Sequence, residues 1–321
     1  MPARVFAMTT PISIDQPVDL ALTLQSGQAF RWRRVTLAGQ GPDATEWWHG
    51  FLGDESVLLT QRSPNDGAIL VQCRRGAEAT VAARLRSYLR LDDDLPDVYR
   101  RFAADAHLAG AIQRLRGMRL LRQDTWECLV GFICSGQNNV LRISLMMERM
   151  ADAFGSPTSL HGVARKTFPS PERLAEAGEA RLRELGLGFR AGPVARAARL
   201  VADGEFPLAA LREWPYEKAK EALTGLDGVG PKIADCVLLF SLEKLEAFPV
   251  DRWVRRAVED WYGLKPRLRR DGKPLKEAPY ADVLAWAQAR WGRDAGYANQ
   301  YLFLGRRAEE REVGGMRAAR V

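Results

Sequence analysis

LDGVGPKIADCVLLFSLEKLEAFPVD, residues 226–251, decides how the rest of this chain is read. Just upstream, YEKAKEALTGL (216–226) spaces its apolar residues as an amphipathic helix does, and KIADCVLLFSL (232–242) does the same just downstream. The turn between them, Leu226-Asp227-Gly228-Val229-Gly230-Pro231, carries two glycines, Gly228 and Gly230, that allow close backbone approach to another surface. The first N–H groups of the second helix have no partner inside it and face outward as an anion site. A phosphate fits there, directly or through a bridging monovalent or divalent cation. Glycine-rich turns also join ordinary helical hairpins, so the turn by itself leaves both readings open.

Two residues flanking the second helix add chemistry. Lys232 opens that helix directly after the turn, where the positive helix end and desolvation disfavour an ammonium, and a neutral amine is a nucleophile. Nineteen residues later Phe248-Pro249-Val250-Asp251 ends a loop and starts DRWVRRAVEDWY, so Asp251 is placed to be the N-cap of that helix. A carboxylate fixed there can stabilise a developing sugar cation. Each residue also has a plain reading, a surface lysine and a structural cap.

The rest of the chain constrains the function around this pair. With 321 residues, 46% of them apolar, it can build a sizeable core in one large or a few smaller domains. Its 47 basic residues against 40 acidic ones give a net charge of +7, which permits a polyanionic partner. No apolar run approaches the roughly 18 residues of a membrane span, and the first twenty residues lack the basic-then-apolar layout of a secretory leader. An intracellular protein is expected. Cys73, Cys128, Cys134 and Cys236 form no CxxC pair, and His49, His107 and His161 are scattered, so neither a disulfide framework nor a metal site is signalled.

Secondary-structure signals change once along the chain. Residues 18–75 offer short β-branched and aromatic runs, VDLALTL (18–24), AFRWRRV (29–35), EWWHGFL (46–52), SVLLTQ (56–61) and AILVQCR (68–74). Turn residues in SGQ, GQGPD, GDE and PNDG separate them, which predicts an antiparallel sheet and the only strand-rich part of the chain. From about Glu78 the spacing is helical, as in TVAARLRSYLRL (80–91), 97–115 and DTWECLVGFICSGQ (124–137). Asp124, Ser170-Pro171 and Pro279 suit helix starts, Gly155, Gly186 and Gly263 suit helix ends, and VGGMRAARV (313–321) is expected to fray. The fold class is α+β: a small N-terminal antiparallel sheet domain over residues 1–115, and a helical domain over 116–321 with its hairpin at about 215–241.

At this point GVGPKIADC and FPVD resemble the helix-hairpin-helix, glycine/proline-rich-loop and aspartate signature (HhH-GPD) of base-excision DNA glycosylases. The resemblance implies that Lys232 attacks the deoxyribose C1′, expels the base and forms a Schiff base that β-elimination turns into a strand break, with Asp251 assisting. The anion site would then take DNA phosphate at Gly228 and Gly230. With no cysteine beyond Cys236, the iron–sulfur motif of the endonuclease III-like branch is missing, so no iron–sulfur cluster and no required cofactor are implied. The alkylation-repair branch generally lacks the lysine.

What remains is a resemblance, over residues 18–307, to the 8-oxoguanine DNA glycosylases of the eukaryotic type, whose N-terminal sheet is TBP-like. It implies a double-stranded DNA partner carrying an oxidised purine opposite cytosine, and a monomer. In LQSGQAFRW (24–32), Gly27 would offer the carbonyl that accepts the N7 hydrogen present only on the oxidised base, and an unmatched buried polar group is costly. Over 120–150, Gln137, Asn138 and Asn139 match the loop that fills the hole left by a flipped base, and Arg142 matches a reader of the opposite cytosine. In LGLGFRAGPVARAARLV (185–201), Phe189 matches the aromatic wedge and Arg190 a second cytosine reader.

Cys236 and Phe303, the latter in YANQYLF (297–303), would sandwich the base. Asn299 stands where the family has a glutamine facing the base, with Gln300 beside it, and Trp253 stands where a phosphate-contacting histidine is familiar. Two other functions stay open: a glycosylase of different or broader purine scope, favoured by Asn299 and Trp253, and a non-catalytic DNA clamp, which would need neither Lys232 nor Asp251.

Overall fold

The computed structural model describes residues 9–37, 46–64, 66–268 and 273–318. In chain order the elements are β1 (Thr10–Ser13), α1 (Leu20–Leu24), β2 (Arg33–Val35), β3 (Trp47–Leu52), β4 (Glu55–Thr60), β5 (Ala68–Gln72), α2 (Glu78–Tyr88), α3 (Leu95–Phe102), α4 (Ala106–Arg114), α5 (Thr125–Cys134) and α6 (Val140–Phe154). There follow β6 (Pro157–Leu160), β7 (Val163–Lys166), α7 (Pro171–Leu182), α8 (Ala191–Ala202), α9 (Tyr216–Thr224), α10 (Pro231–Ser241), α11 (Arg252–Tyr262), α12 (Tyr280–Trp291) and α13 (Ala295–Ala318). By tertiary contact these form two units, each assembled from separated segments.

The first unit comprises Met1–Leu95, Gly117–Leu211 and Leu226–Gly228. Its sheet runs β1-β5-β4-β3-β2, antiparallel throughout, with Trp48 opposite Leu59 and Leu59 opposite Val71. Alternation along the strands gives both faces a core. Trp48, Val57, Leu59, Ile69 and Val71 pack with Val81, Leu85 and Leu89 around α2, while Trp47 and Leu58 turn the other way and meet Leu160 and Val163.

Several expectations need correcting here. VDLALTL is not a strand: Leu20–Leu24 is a short helix, because Asp19 caps it by accepting from the Leu22 N–H at 2.8 Å. Its apolar run is too short for periodicity to separate a strand from a buried helix. Only the last three residues of AFRWRRV are strand, and β1 lies before the expected sheet. The β6–β7 hairpin is a second strand pair far outside the strand-rich region. The GQGPD turn (39–43) lies outside the described residues, as does Asn65 of PNDG.

Under that hairpin lies a buried charge cluster. Glu148 of α6 accepts from Arg31 Nε at 2.9 Å and from the Arg165 guanidinium of β7. Arg165 also donates to His49 Nδ1 at 2.8 Å and to the Arg31 carbonyl at 2.9 Å, and the other ring nitrogen of His49 meets Ser56 Oγ at 2.9 Å. An arginine on Nδ1 makes that nitrogen the acceptor, so the His49 proton is assigned to Nε2.

The second unit comprises Pro96–Arg116, Arg212–Gly225 and Val229–Val321 and is helical. Val254, Ala257 and Val258 form the buried stripe of α11, which packs against α13, where Ala298, Tyr301 and Leu302 are buried. Most of the expected helix boundaries fall where anticipated, but Gly186 does not end α7: it lies at φ 89° inside a wide helical turn, Arg183–Leu187, that follows it. Asp124 and Ser170 cap α5 and α7, Pro279 precedes α12, and Gly263 ends α11 in the left-handed region at φ 68°. Helix α13 departs from expectation: it continues to Ala318, through most of the segment expected to fray, whose last three residues lie outside the described ones.

Candidate active site and nucleic-acid interface

Two helix N-termini build the centre of the second unit, and the chain finishes them in opposite ways. Helix α11 begins on Asp251, whose Oδ1 accepts from the Trp253 and Val254 N–H groups at 2.9 and 2.8 Å. Helix α10 begins on Gly230 with Pro231 in its first turn and no side-chain cap. One terminus is thus closed by a carboxylate and the other left open to an outside anion. Lys232 rises from the open one, half-buried, and hydrogen-bonds the Cys236 thiol one turn further along α10.

Asp251 is close enough for Lys232 to act on it electrostatically. Burial pushes the Asp251 carboxyl above the ordinary aspartate range, outweighing the Val254 and Trp253 N–H groups and Lys232, which all favour the anion. Burial likewise pushes the Cys236 thiol up to about 12, against the pull of Lys232, so it stays protonated at neutral pH. The structure therefore brings together an amine, a neutral thiol and a carboxylate from 232, 236 and 251. A nucleophile beside a base or counter-ion is what covalent attack on a carbon centre needs.

The remaining predicted residues of this unit surround the same segment unevenly. Asn299 is 3% exposed, and its Nδ2 donates to the Pro249 carbonyl at 2.9 Å, two residues before Asp251. Gln300 is equally buried. Phe303 is half-buried on α13, with the Arg307 guanidinium 5.9 Å from its ring centroid. Trp253 is half-buried, and Arg252 lies 4.6 Å over its ring with Arg256 at 6.0 Å. Sequence reasoning passed over these two arginines, although their spacing of four on one helix was a visible signal.

The first unit carries the candidate DNA-contacting loops. Gly228, at φ 75°, has no room for a side chain, because an added Cβ would lie 2.7 Å from Pro193 Cβ. Gly230, which belongs to the second unit, is different, with nothing within 4 Å of an added Cβ, so no packing inside the chain demands a glycine there. Gln137 sits at φ 49°, a conformation that costs a non-glycine residue energy, on the exposed tip of its loop. Asn138 Nδ2 donates to the Cys134 carbonyl at 3.0 Å, and Asn139 Oδ1 caps α6 by accepting from the Arg142 N–H at 3.0 Å.

Arg142 itself is exposed, flanked by Leu141 at 83% and Leu145 at 48% exposure, two apolar residues that sequence reasoning did not single out. Phe189 is 60% exposed, with the Arg190 guanidinium 4.2 Å from its ring centroid. Arg190 is buried rather than displayed: its Nε donates to the Gly136 carbonyl at 3.0 Å and its Nη2 to the Gln137 carbonyl at 3.2 Å, holding the loop that carries Gln137. Gly27, at φ 85°, lies in a turn pinned by Gln28, which donates to Ser26 Oγ at 2.8 Å and to the Arg119 carbonyl at 2.9 Å.

Known proteins resemble this chain over most of its length. Residues 11–129 match the N-terminal domain of 8-oxoguanine DNA glycosylases, and residues 130–277 match the HhH-GPD superfamily of base-excision DNA repair proteins. The N-glycosylase/DNA lyase of Arabidopsis thaliana is 34% identical over 294 residues, covering 89% of this chain and 77% of that protein. That of Saccharomyces cerevisiae is 30% identical over 329 residues, covering 92% and 84%. The solved structure of MBOgg1 with a low-affinity DNA ligand superposes with a TM-score of 0.82 at 29% identity, covering 94% of this chain and 96% of that one.

Fold and matches alike define a helix-hairpin-helix protein of base-excision repair. Within that class the chain belongs to the 8-oxoguanine DNA glycosylase family.

Proposed function

We propose that this protein is a bifunctional DNA glycosylase and apurinic/apyrimidinic lyase that removes 8-oxoguanine opposite cytosine from duplex DNA. The observation that carries the reading is the meeting of Lys232, Cys236 and Asp251 at the starts of α10 and α11. The Lys232 amine attacks C1′ of the deoxyribose, the N-glycosidic bond breaks, and the base leaves with the bonding electron pair. Asp251 assists by accepting a proton from the lysine and by stabilising positive charge on the sugar. Opening of the sugar ring gives a Schiff base on Nζ, and loss of a C2′ proton then expels the 3′ phosphate and cuts the strand.

Gly27, Cys236, Phe303, Asn299 and Gln300 are the lesion-binding residues in this reading. Gln137, Asn138, Asn139, Arg142, Phe189, Arg190 and Trp253 hold the opened duplex. The uncapped start of α10 beside Gly230 takes a DNA phosphate, directly or through a cation. The substrate places the protein on chromosomal DNA inside the cell.

Borohydride trapping on a duplex with 8-oxoguanine opposite cytosine tests this. The wild type should form a covalent adduct. Lys232→Gln should lose both base release and trapping, by at least about a thousandfold, while binding the lesion duplex as before. An adduct that survives in Lys232→Gln would sink the nucleophile assignment, and trapping confined to other lesions would sink the substrate. A broader purine scope is the second reading, because one N–H of the Asn299 amide is spent on the Pro249 carbonyl and only the other is left for a base edge.

A further inference from the structure

Asp235 lies three residues past Lys232 on α10 and is completely buried. A buried carboxylate persists only when its oxygens are hydrogen-bonded. Its Oδ1 accepts from the Tyr216 hydroxyl at 2.7 Å, and its Oδ2 from Lys220 Nζ at 2.9 Å and the Tyr280 hydroxyl at 2.5 Å. Lys220 Nζ also donates to the Tyr216 oxygen at 2.8 Å. One carboxylate thus gathers α9, α10 and the first residue of α12.

Tyr280 extends this cluster to both catalytic segments. A phenol has one proton to give, and at 2.5 Å it goes to Asp235; the oxygen is then free to accept from the Val250 N–H at 3.4 Å. The Pro231 carbonyl lies 3.3 Å away and the Phe248 carbonyl 3.5 Å away. Pro231 immediately precedes Lys232, and Val250 immediately precedes Asp251. Burial, and then Asp235 beside it, push the Tyr280 phenol well above its ordinary range, so it keeps its proton throughout the physiological range.

We infer that Tyr280, which donates to Asp235 of α10 and accepts from the Val250 N–H, is a positioning residue that ties the helix carrying Lys232 to the backbone before Asp251 and so sets the approach of amine to carboxylate. The inference rests on the reading of Lys232 and Asp251 given above. Tyr280 performs no chemistry itself. Residues 242–250 join the two segments, and a connection of that length does not by itself hold their spacing to a fraction of an ångström. A misplacement of about 1 Å is enough to cost about a hundredfold in rate.

Tyr280→Phe tests it by keeping the ring and deleting only the hydroxyl. Single-turnover release of 8-oxoguanine should fall about ten- to a hundredfold, with borohydride trapping falling in parallel and the Kd for the lesion duplex staying within about twofold. Tyr262→Phe is the comparison: it deletes another phenol-to-carboxylate bond, Tyr262 to Asp105 at 2.9 Å, at the far end of α11, and should lower stability while leaving the rate unchanged. A wild-type rate in Tyr280→Phe, or rate losses that track Tm in both variants, would overturn the positioning role. Lys232→Gln in the same assay separates the two claims. If it is inactive while Tyr280→Phe is normal, only the positioning inference falls; if it still releases and traps, the reading beneath it falls as well.

Discussion

Glu148 in the first unit is buried and Asp251 in the second half-buried, and the two carboxylates are treated in opposite ways. Burial pushes Glu148 up, but Arg31 and Arg165 outweigh it and hold the carboxyl below the ordinary glutamate range. Around Asp251, burial wins over two backbone N–H groups and Lys232, and the carboxyl ends above the ordinary range. Glu148 has two arginines on one oxygen and a third, Arg33, 3.5 Å from the other. Asp251 has no arginine in direct contact among the described residues and keeps a lysine nearby that is itself proposed to react. On the proposed reading the difference separates a charge kept for architecture from one kept for chemistry: the first is over-compensated, the second left short of partners so that its proton affinity is useful.

Breaking the compensated site should give the largest effect. Glu148→Gln leaves Arg165 buried without a counter-charge and Arg31 with only Glu127, 3.7 Å away, and breaking a buried pair from one side costs about 3–5 kcal/mol. Urea denaturation should show that loss, while the activity per folded molecule stays near wild type because no residue of the cluster belongs to the lysine site. A loss below about 1 kcal/mol would mean that water reaches the arginines and that the cluster is not the anchor of the β6–β7 hairpin.

The same cluster should make the first unit sensitive to acid through His49. Burial, and then Arg165, push this residue down to about 4 from 6.5. With the folded value depressed, the native state prefers the neutral ring, so its contribution is whole above pH 6.5 and is lost as pH falls from 6.5 to about 4. At roughly 1.4 kcal/mol per pH unit, about 3 kcal/mol is at stake. His49→Gln should flatten stability over that window in denaturation measured from pH 7 to 4; an unchanged slope would show that His49 is not the group responsible.

These two regions also differ in how far the sequence announced them. Lys232 and Asp251 were legible because each coincides with a local signal, a glycine-proline helix start and a capping aspartate, and because the helices around them keep a strong period. The β3, β4 and β5 strands were legible for the same reason. The Glu148 cluster was not, since Arg31, Glu148 and Arg165 are 117 and 17 residues apart and nothing local marks a charge that will be buried. Tyr280 and Asp235 were hidden by their separation of 45 residues. Arg190 was visible as an arginine after an aromatic, but its commitment to the Gly136 and Gln137 carbonyls depends on a loop fold that sequence spacing does not encode. The short α1 was misread because five residues, four of them apolar, fit either period and only the Asp19 cap decides.

Asp251→Asn sharpens the comparison most finely, because it separates chemistry from architecture at one atom. Asparagine caps a helix about as well as aspartate, so α11 should keep its start and the lesion duplex should bind normally. Single-turnover base release should nevertheless fall by about a hundredfold or more, the range expected for losing a positioned acid–base group. Stability should move the other way. The folded value of Asp251 is raised, so its favourable contribution is whole below the unfolded value of 3.8 and is lost as pH climbs through the folded one. At neutral pH the wild type therefore carries the cost of an ionised, desolvated carboxylate that asparagine does not. Thermal unfolding at pH 7 should give Asp251→Asn the higher Tm, and the gap should close as pH falls toward 3.8, where aspartate is neutral in both states. A lower Tm for the variant at pH 7 would mean that the two N–H groups and Lys232 stabilise the anion more than burial penalises it, and Asp251 would then belong with Glu148 among the compensated charges.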